Sequence, residues 1–178
     1  REDAPDHVMG STTTGGETTP GAVKVGKGGE YANLDAVVMD AVNELIDVVY
    51  QDDDDLVVIC GRELLSDKYF PLVNKEQENS EKLAADMIIS QKRMGGLQAV
   101  RAPFFPPNAL LITRLDNLSI YWQEDTRRRS VIDNPKRDRI ENFESVNEAY
   151  VVEDYRCAAL VENIQIGDFS AAAAETGA

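Results

Sequence analysis

Residues 34–49, LDAVVMDAVNELIDVV, and residues 55–60, DLVVIC, carry the clearest structural patterns in this chain. In the first, aliphatic residues recur at steps of three and four, which is typical of one apolar stripe along an α-helix. Asn33 is a candidate N-cap, and Asp35 lies in the first turn, where the helix dipole favours an anion. We therefore predict a helix over 34–49 with its stripe buried. The stripe consists of Leu34, Val37, Val38, Ala41, Val42, Leu45, Ile46 and Val49.

The second stretch predicts a buried strand over 56–60, because five consecutive apolar residues follow a polar turn and end at Gly61. Beyond it, the pattern predicts a helix over 62–70 that stops near Pro71, and a further helix over 81–90. Gly95 and Gly96 then break the chain, and the prolines within 103–107 indicate an extended loop.

The second half of the chain favours strands. Predicted strands cover 109–113, 118–122, 149–155 and 158–166, with a turn at Asp116 and Asn117 and a charged stretch over 124–144. At the start, residues 1–32 are polar and rich in Gly and Thr, which predicts a flexible leader or hairpin. Residues 11–16 are expected to form a flexible loop or a hairpin tip, flanked by short strands such as 23–25. Residues 171–178 form a low-complexity tail. The predicted helices come first along the chain and most predicted strands come second, with one buried strand between helices. This order predicts an α+β fold.

The composition limits the partners that this chain can have. It has 178 residues, 43% of them hydrophobic, enough for one domain with a real core. The chain has 18 Lys and Arg residues but 32 Asp and Glu residues, so its net charge is −14. Such a charge repels phosphate backbones and anionic lipids, so neither general nucleic-acid binding nor a membrane partner is expected.

Residues that carry enzyme chemistry are sparse. The single histidine, His7, lies in the predicted leader, which argues against imidazole-based catalysis. Cys60 and Cys157 are far apart, which argues against a disulfide framework and against a zinc site. Cys60 ends an apolar run, which predicts a buried, reduced thiol. The glycines at 26–29 do not match a phosphate-binding loop, and the aspartates at 52–55 lack the spacing of a calcium-binding loop. We predict no catalytic residue, no cofactor and no metal site.

Two charged clusters remain as candidate contact sites, one acidic and one basic. They are Asp52, Asp53, Asp54 and Asp55, and Arg127, Arg128 and Arg129. Nucleic acid could contact the basic cluster, but acids interleave it and few aromatics accompany it. Ion pairing within the chain or with a neighbouring subunit is therefore favoured.

Three classes of function stay open on the residues alone. The first is a structural assembly protein, and the second is an acidic module that binds cations or proteins without catalysis. The third is a carboxylate-based hydrolase or transferase, because 32 acidic residues allow some pair to share a cleft.

Seven motifs, taken together in their order and spacing, resemble a known family. They are VGKGGEYANLDAVVMDA (25–41), DLVVICGRELLSDKYFP (55–71), VNKEQENSE (73–81), IISQKR (88–93), NLSIY (117–121), NPKRDR (134–139) and YVVEDY (150–155). The chain resembles the major capsid protein of the peduovirus group of temperate tailed phages from about residue 5 to about residue 170. The resemblance implies a subunit of an icosahedral head shell with the Hong Kong 97-type capsid fold, and no enzyme activity.

The resemblance also implies a layout and a set of partners. Residues 33–145 are expected to form the axial domain, and residues 146–170 the strands that return into the peripheral domain. The arm, extended loop and spine helix of the family would precede Arg1, so we expect the 178-residue chain alone to form no shell. Expected partners are copies of itself, a scaffolding protein, a portal and enclosed DNA that is bound without specificity. The expected location is the virion, after assembly in the host cytoplasm.

Overall fold

A computed structural model describes residues 4–14, 17–74 and 79–170. Its helices are α1 Leu34–Leu45, α2 Val48–Gln51, α3 Arg62–Val73 and α4 Asn79–Gln91. Its strands are β1 Val8–Met9, β2 Ser11–Thr14, β3 Glu17–Pro20, β4 Val23–Val25, β5 Leu56–Cys60, β6 Arg93–Met94, β7 Leu97–Arg101, β8 Leu110–Arg114, β9 Leu118–Trp122, β10 Arg128–Asn134, β11 Arg139–Ser145, β12 Glu148–Val152, β13 Ala158–Val161 and β14 Ile164–Ile166. Short 3₁₀ helices cover Pro5–His7, Leu115–Asn117 and Tyr155–Cys157.

Six of the described strands form one sheet in the order β1-β13-β8-β5-β7-β6. Strand β5 lies inside it, parallel to β7 and antiparallel to β8. All five residues of β5 are buried, as predicted from its unbroken apolar run.

Helix α1 contacts the sheet at β13, β1 and β6. The side chain of Asn33 accepts a hydrogen bond from the Ala36 amide at 2.9 Å, so the predicted N-cap is confirmed. Leu34, Val37, Val38 and Ala41 are buried, and they share one core with the inner residues of β5, β8 and β13.

The prediction of one helix over 34–49 is wrong at its C-terminal end. Helix α1 ends at Leu45, Ile46 is extended, and Asp47 caps the separate helix α2 by accepting from the Val49 amide at 3.1 Å. The Gln51 side chain donates to the carbonyls of Asn43 and Ile46, which holds this turn. A capping aspartate therefore interrupts the apolar stripe, and Val49 is exposed instead of buried.

Helix α3 runs through Pro71 and ends at Val73, two residues beyond the proline near which its end was predicted. Pro71 lacks the N–H that would bond to the Asp67 carbonyl, and its ring crowds that carbonyl, which fits a helix that ends within one turn. The turn still closes after it, since the Asn74 amide donates to the Phe70 carbonyl at 2.9 Å.

The segment predicted as a flexible leader contributes strands to the fold. Strand β1 pairs with β13 and β4 pairs with β14, both in parallel. Strands β2 and β3 form the predicted hairpin, whose tip residues, Gly15 and Gly16, lie outside the described residues. The predicted long strand over 158–166 is divided into β13 and β14 at Glu162 and Asn163, where Asn163 has a φ of +55°. The predicted tail, 171–178, also lies outside the described part of the chain.

The chain divides into two compact units, one of which is Asp116–Glu153. We call this unit the ribbon. It contains two antiparallel pairs, β9 with β12 and β10 with β11. The charged stretch predicted over 124–144 therefore contains most of a regular hairpin, with Asn134 opposite Arg139 at its turn. The other unit holds the six-stranded sheet and, within the described ranges, α1 to α4.

Cys60 is a buried free thiol, as predicted, and Cys157 is buried and free as well. Burial raises the pKa of Cys60 and of Cys157. No helix in the described ranges has the length and apolar character that crossing a bilayer requires.

Candidate functional site

The acidic turn, residues 52–55, connects α2 to β5. One of its carboxylates is used inside the chain: Asp53 pairs with Arg114 of β8 at 3.1 Å and accepts from the Asp55 amide at 3.0 Å. Asp52, Asp54 and Asp55 are exposed. The turn therefore presents a cluster of carboxylates at the end of the sheet where β5 begins.

A cluster of Tyr50, Asp154 and Arg156 fixes α2 beside this turn. The Asp154 carboxylate accepts from the Arg156 guanidinium at 2.9 Å, from the Arg156 amide at 2.9 Å and from the Tyr50 hydroxyl at 3.0 Å. The guanidinium also lies 5.9 Å from the centre of the Tyr50 ring. These contacts lower the pKa of Asp154 to about 2, the Arg156 side chain having the largest effect, and raise the pKa of Tyr50.

We expect the Asp154 carboxyl to titrate near pH 2 in the folded protein, against about 3.9 in an unfolded chain. Because the folded pKa is the lower one, the stabilisation from this carboxylate is present above the unfolded pKa. It is lost as the pH falls through the folded pKa. Carbon-13 NMR of labelled aspartate carboxyls measures the value directly, and Arg156→Gln should raise it. A pKa near 3.9 in the unaltered protein would contradict the contacts described.

The predicted basic cluster lies at the start of β10 on the ribbon, and two of its three arginines have partners there. Arg127 pairs with Glu144 at 2.5 Å, and Arg129 donates to the Asn142 side chain at 3.2 Å. Arg128 is exposed and makes no side-chain hydrogen bond or ion pair within the described ranges. The basic cluster and the acidic turn belong to different compact units, and pairing inside the ribbon uses much of the charge of the basic cluster.

Apolar side chains cover both faces of the ribbon and are exposed. Strand alternation places Ile120, Trp122 and Tyr150 on one face of the β9–β12 pair, with exposed fractions of 55%, 70% and 73%. A cavity of about 710 Å³ lies against this pair. It is lined by Ile120, Tyr121, Trp122, Gln123, Glu124, Asp125, Arg127, Glu144, Ser145, Val146 and Glu148. A two-stranded hairpin is marginal by itself, so this surface is built to be covered.

A second cavity, of about 340 Å³, lies along α3, and we call it the α3 groove. It is lined by Arg62, Leu65, Ser66, Tyr69, Phe70, Val73, Ile89, Lys92 and Arg101. The sequence patterns did not predict this site, because its three cations are separated along the chain. A usable signal was present: Phe70 and Val73 are large apolar residues in a helix with no clean stripe.

The remaining chemistry predictions concern metals and histidine. No three His, Cys, Asp or Glu side chains of the described part of the chain are grouped so as to hold a metal ion. His7 lies in the segment predicted as a flexible leader, but it is not freely exposed. It is partly buried in a short 3₁₀ helix, with its Nδ1 2.5 Å from the Leu45 carbonyl oxygen at the end of α1.

The chain is similar to capsid proteins of phages over most of its length. The family described as phage major capsid protein, P2 family, matches residues 1–164. The chain is 61% identical over 182 residues to the capsid proteins of Escherichia phage P2, covering 100% of this chain and 51% of that protein. It is 36% identical over 167 residues to the major capsid protein of Serratia phage KSP20, covering 92% and 47%.

A solved structure gives the same result for the fold. A chain in the procapsid of satellite phage P4, a structure that includes the size determination (Sid) protein, matches with a TM-score of 0.82 and 58% identity. The match covers 94% of this chain and 50% of that chain. The predicted resemblance to phage major capsid proteins and the predicted α+β capsid fold are therefore confirmed. The chain spans about half the length of the curated relatives that it matches.

Proposed function

Because the chain belongs to the P2 family of phage major capsid proteins, we propose that it is a structural subunit of the icosahedral head shell of a tailed phage. The observation that carries this proposal is its likeness, over 94% of its length, to a chain of a solved procapsid. As a shell subunit, it would bind copies of itself through complementary surfaces. The family is structural, and neither a hydrolase nor an isolated acidic binding module is favoured by a specific site.

We further assign the two compact units to the two domains of the capsid fold. The described residues outside the ribbon, 4–115 and 154–170, would form the axial domain, and the ribbon would enter the peripheral domain. This places the division at 116 and 153 rather than after 145, where the sequence suggested it. The exposed apolar faces of the ribbon support the assignment, since a strand pair needs cover from another element.

Partners and location follow from this role. A scaffolding protein and a portal would act on the assembling shell in the host cytoplasm. The finished virion would enclose DNA that the subunit holds without sequence recognition. A net charge of −14 suits a shell that confines DNA without adhering to it.

Electron microscopy of the intact protein, expressed in a bacterial host with the other head proteins of its phage, tests this proposal. We expect closed, regular shells in which this protein is the main component by mass. Protein that stays monomeric under these conditions, or that is absent from shells that do form, would contradict the proposal.

A further inference from the structure

We propose that the acidic turn of one copy of this chain, together with α2, docks into the α3 groove of a second copy, so that copies join head to tail. This inference rests on the proposed function, because a shell subunit meets copies of itself. It names two surfaces that would make such a contact.

The docking element combines apolar and anionic groups. Val48 and Val49 of α2 are both 77% exposed, and the exposed carboxylates of the acidic turn follow within a few residues. The element is preorganised, because the Asp47 cap and the Gln51 side chain hold α2 against the end of α1. Little conformational entropy would therefore be lost when it binds.

The α3 groove has the complementary chemistry. Its wall is apolar, with Phe70 and Val73 exposed by 61% and 67%. Its volume of about 340 Å³ exceeds the roughly 150 Å³ that accommodates a benzene ring, so small aliphatic side chains fit. Cations complete the groove: Arg62, Lys92 and Arg101 are exposed, and none of the three side chains makes an ion pair or hydrogen bond within the described ranges.

These cations are notable on a chain with so many acids. Glu63 lies beside Arg62 and Arg101 in an adjoining cavity, so the rim keeps an excess of positive charge. On the ribbon, by contrast, Arg127 already has Glu144 as its partner. The groove is therefore a better match for the acidic turn than the basic cluster that the sequence suggested. Complementary charge of this kind fixes the register of two partners and rejects wrong ones.

The topology puts the two surfaces at opposite ends of one buried strand. Asp55 directly precedes β5, whereas Arg62 follows it after one glycine, and Arg101 pairs with Cys60 at the far end. A five-residue strand spans about 17 Å. Surfaces that share no residue and lie at opposite ends form a heterologous contact, which either closes into a ring or continues as a filament.

Reciprocal charge reversal in the intact protein tests the contact. One variant is Asp52→Lys with Asp54→Lys, another is Arg62→Glu with Lys92→Glu, and the third combines all four changes. Asp53 is left alone because it pairs with Arg114. Glu at position 62 suits the N-terminus of α3, so folding should survive, which circular dichroism checks. Sedimentation velocity should show that each reversal lowers the assembled fraction at least about tenfold, and that the combination restores most of it.

A matched control reverses two exposed ribbon cations, Lys136→Glu with Arg137→Glu, which gives the same charge change outside the groove. Combining the acidic-turn reversal with the control variant should not restore the assembled fraction. If it does, the ribbon is the partner of the acidic turn and the inference is wrong. The inference is also wrong if the intact protein assembles and neither reversal lowers the assembled fraction. It is wrong as well if the groove reversal abolishes assembly and the acidic-turn reversal does not restore it, because the groove would then bind another acidic partner. Failure of the unaltered protein to assemble would instead count against the proposed function.

Discussion

Ile112→Ala is expected to lower the free energy of unfolding by about 2–5 kcal/mol. Ile112 lies in the middle of β8, is fully buried, and has Val58 of β5 and Ala159 of β13 as its neighbours across the sheet. Strands flank it on both sides, so the sheet cannot close around the cavity that the shorter side chain leaves. Urea denaturation followed by circular dichroism measures the loss.

Ile140→Ala provides the matched control for this prediction. The chemical change is the same, but Ile140 lies on the ribbon and is 73% exposed. Its replacement should change the free energy of unfolding by no more than about 0.5 kcal/mol. Equal losses for the two variants would mean that Ile112 does not lie in the core.

Gly10→Ala should cost more than about 2 kcal/mol, because two penalties act at one position. Gly10 has a φ of +86°, a conformation that residues with a Cβ rarely adopt. A Cβ there would also lie 2.0 Å from the Glu162 carbonyl oxygen, which is backbone and cannot move aside cheaply. Thermal and urea unfolding should both report the destabilisation.

Gly96→Ala separates the two penalties. Gly96 has the same φ of +86°, but a Cβ there meets nothing within 4 Å. Its replacement should therefore show the conformational penalty alone, about 1–2 kcal/mol. If Gly10→Ala costs no more than Gly96→Ala, the close approach of Gly10 to Glu162 is not present in solution.

Local patterns predicted the elements whose residues carry their own signal. The stripe from Leu34 to Ala41 and the apolar run of β5 are of this kind. In both, the order of apolar and polar residues within one short segment is enough to predict the element and its buried side. The break at Ile46 could not be predicted, because the Asp47 that follows it is equally compatible with a solvent-facing position in a helix and with an N-cap.

Other features depend on residues far apart in the chain and could not be predicted from local patterns. The register of β4 with β14 joins Val23 to Ile164, and neither short segment indicates its partner. The α3 groove likewise forms only when folding brings Arg62, Lys92 and Arg101 to one cavity. The acidic turn was found because its charge is contiguous, although Asp53 turned out to be used within the chain.

The pairing of the first strands with the last ones has a consequence for synthesis on the ribosome. Strands β1 and β4 are translated about 140 to 150 residues before their partners β13 and β14. At about 5–20 residues per second, the nascent chain waits roughly 7–30 s before these pairs can form. During that time β8 also lacks β13 as its neighbour. The six-stranded sheet therefore stays incomplete until β13 is translated, and neighbouring nascent chains on one messenger RNA expose matching strand edges to each other until then.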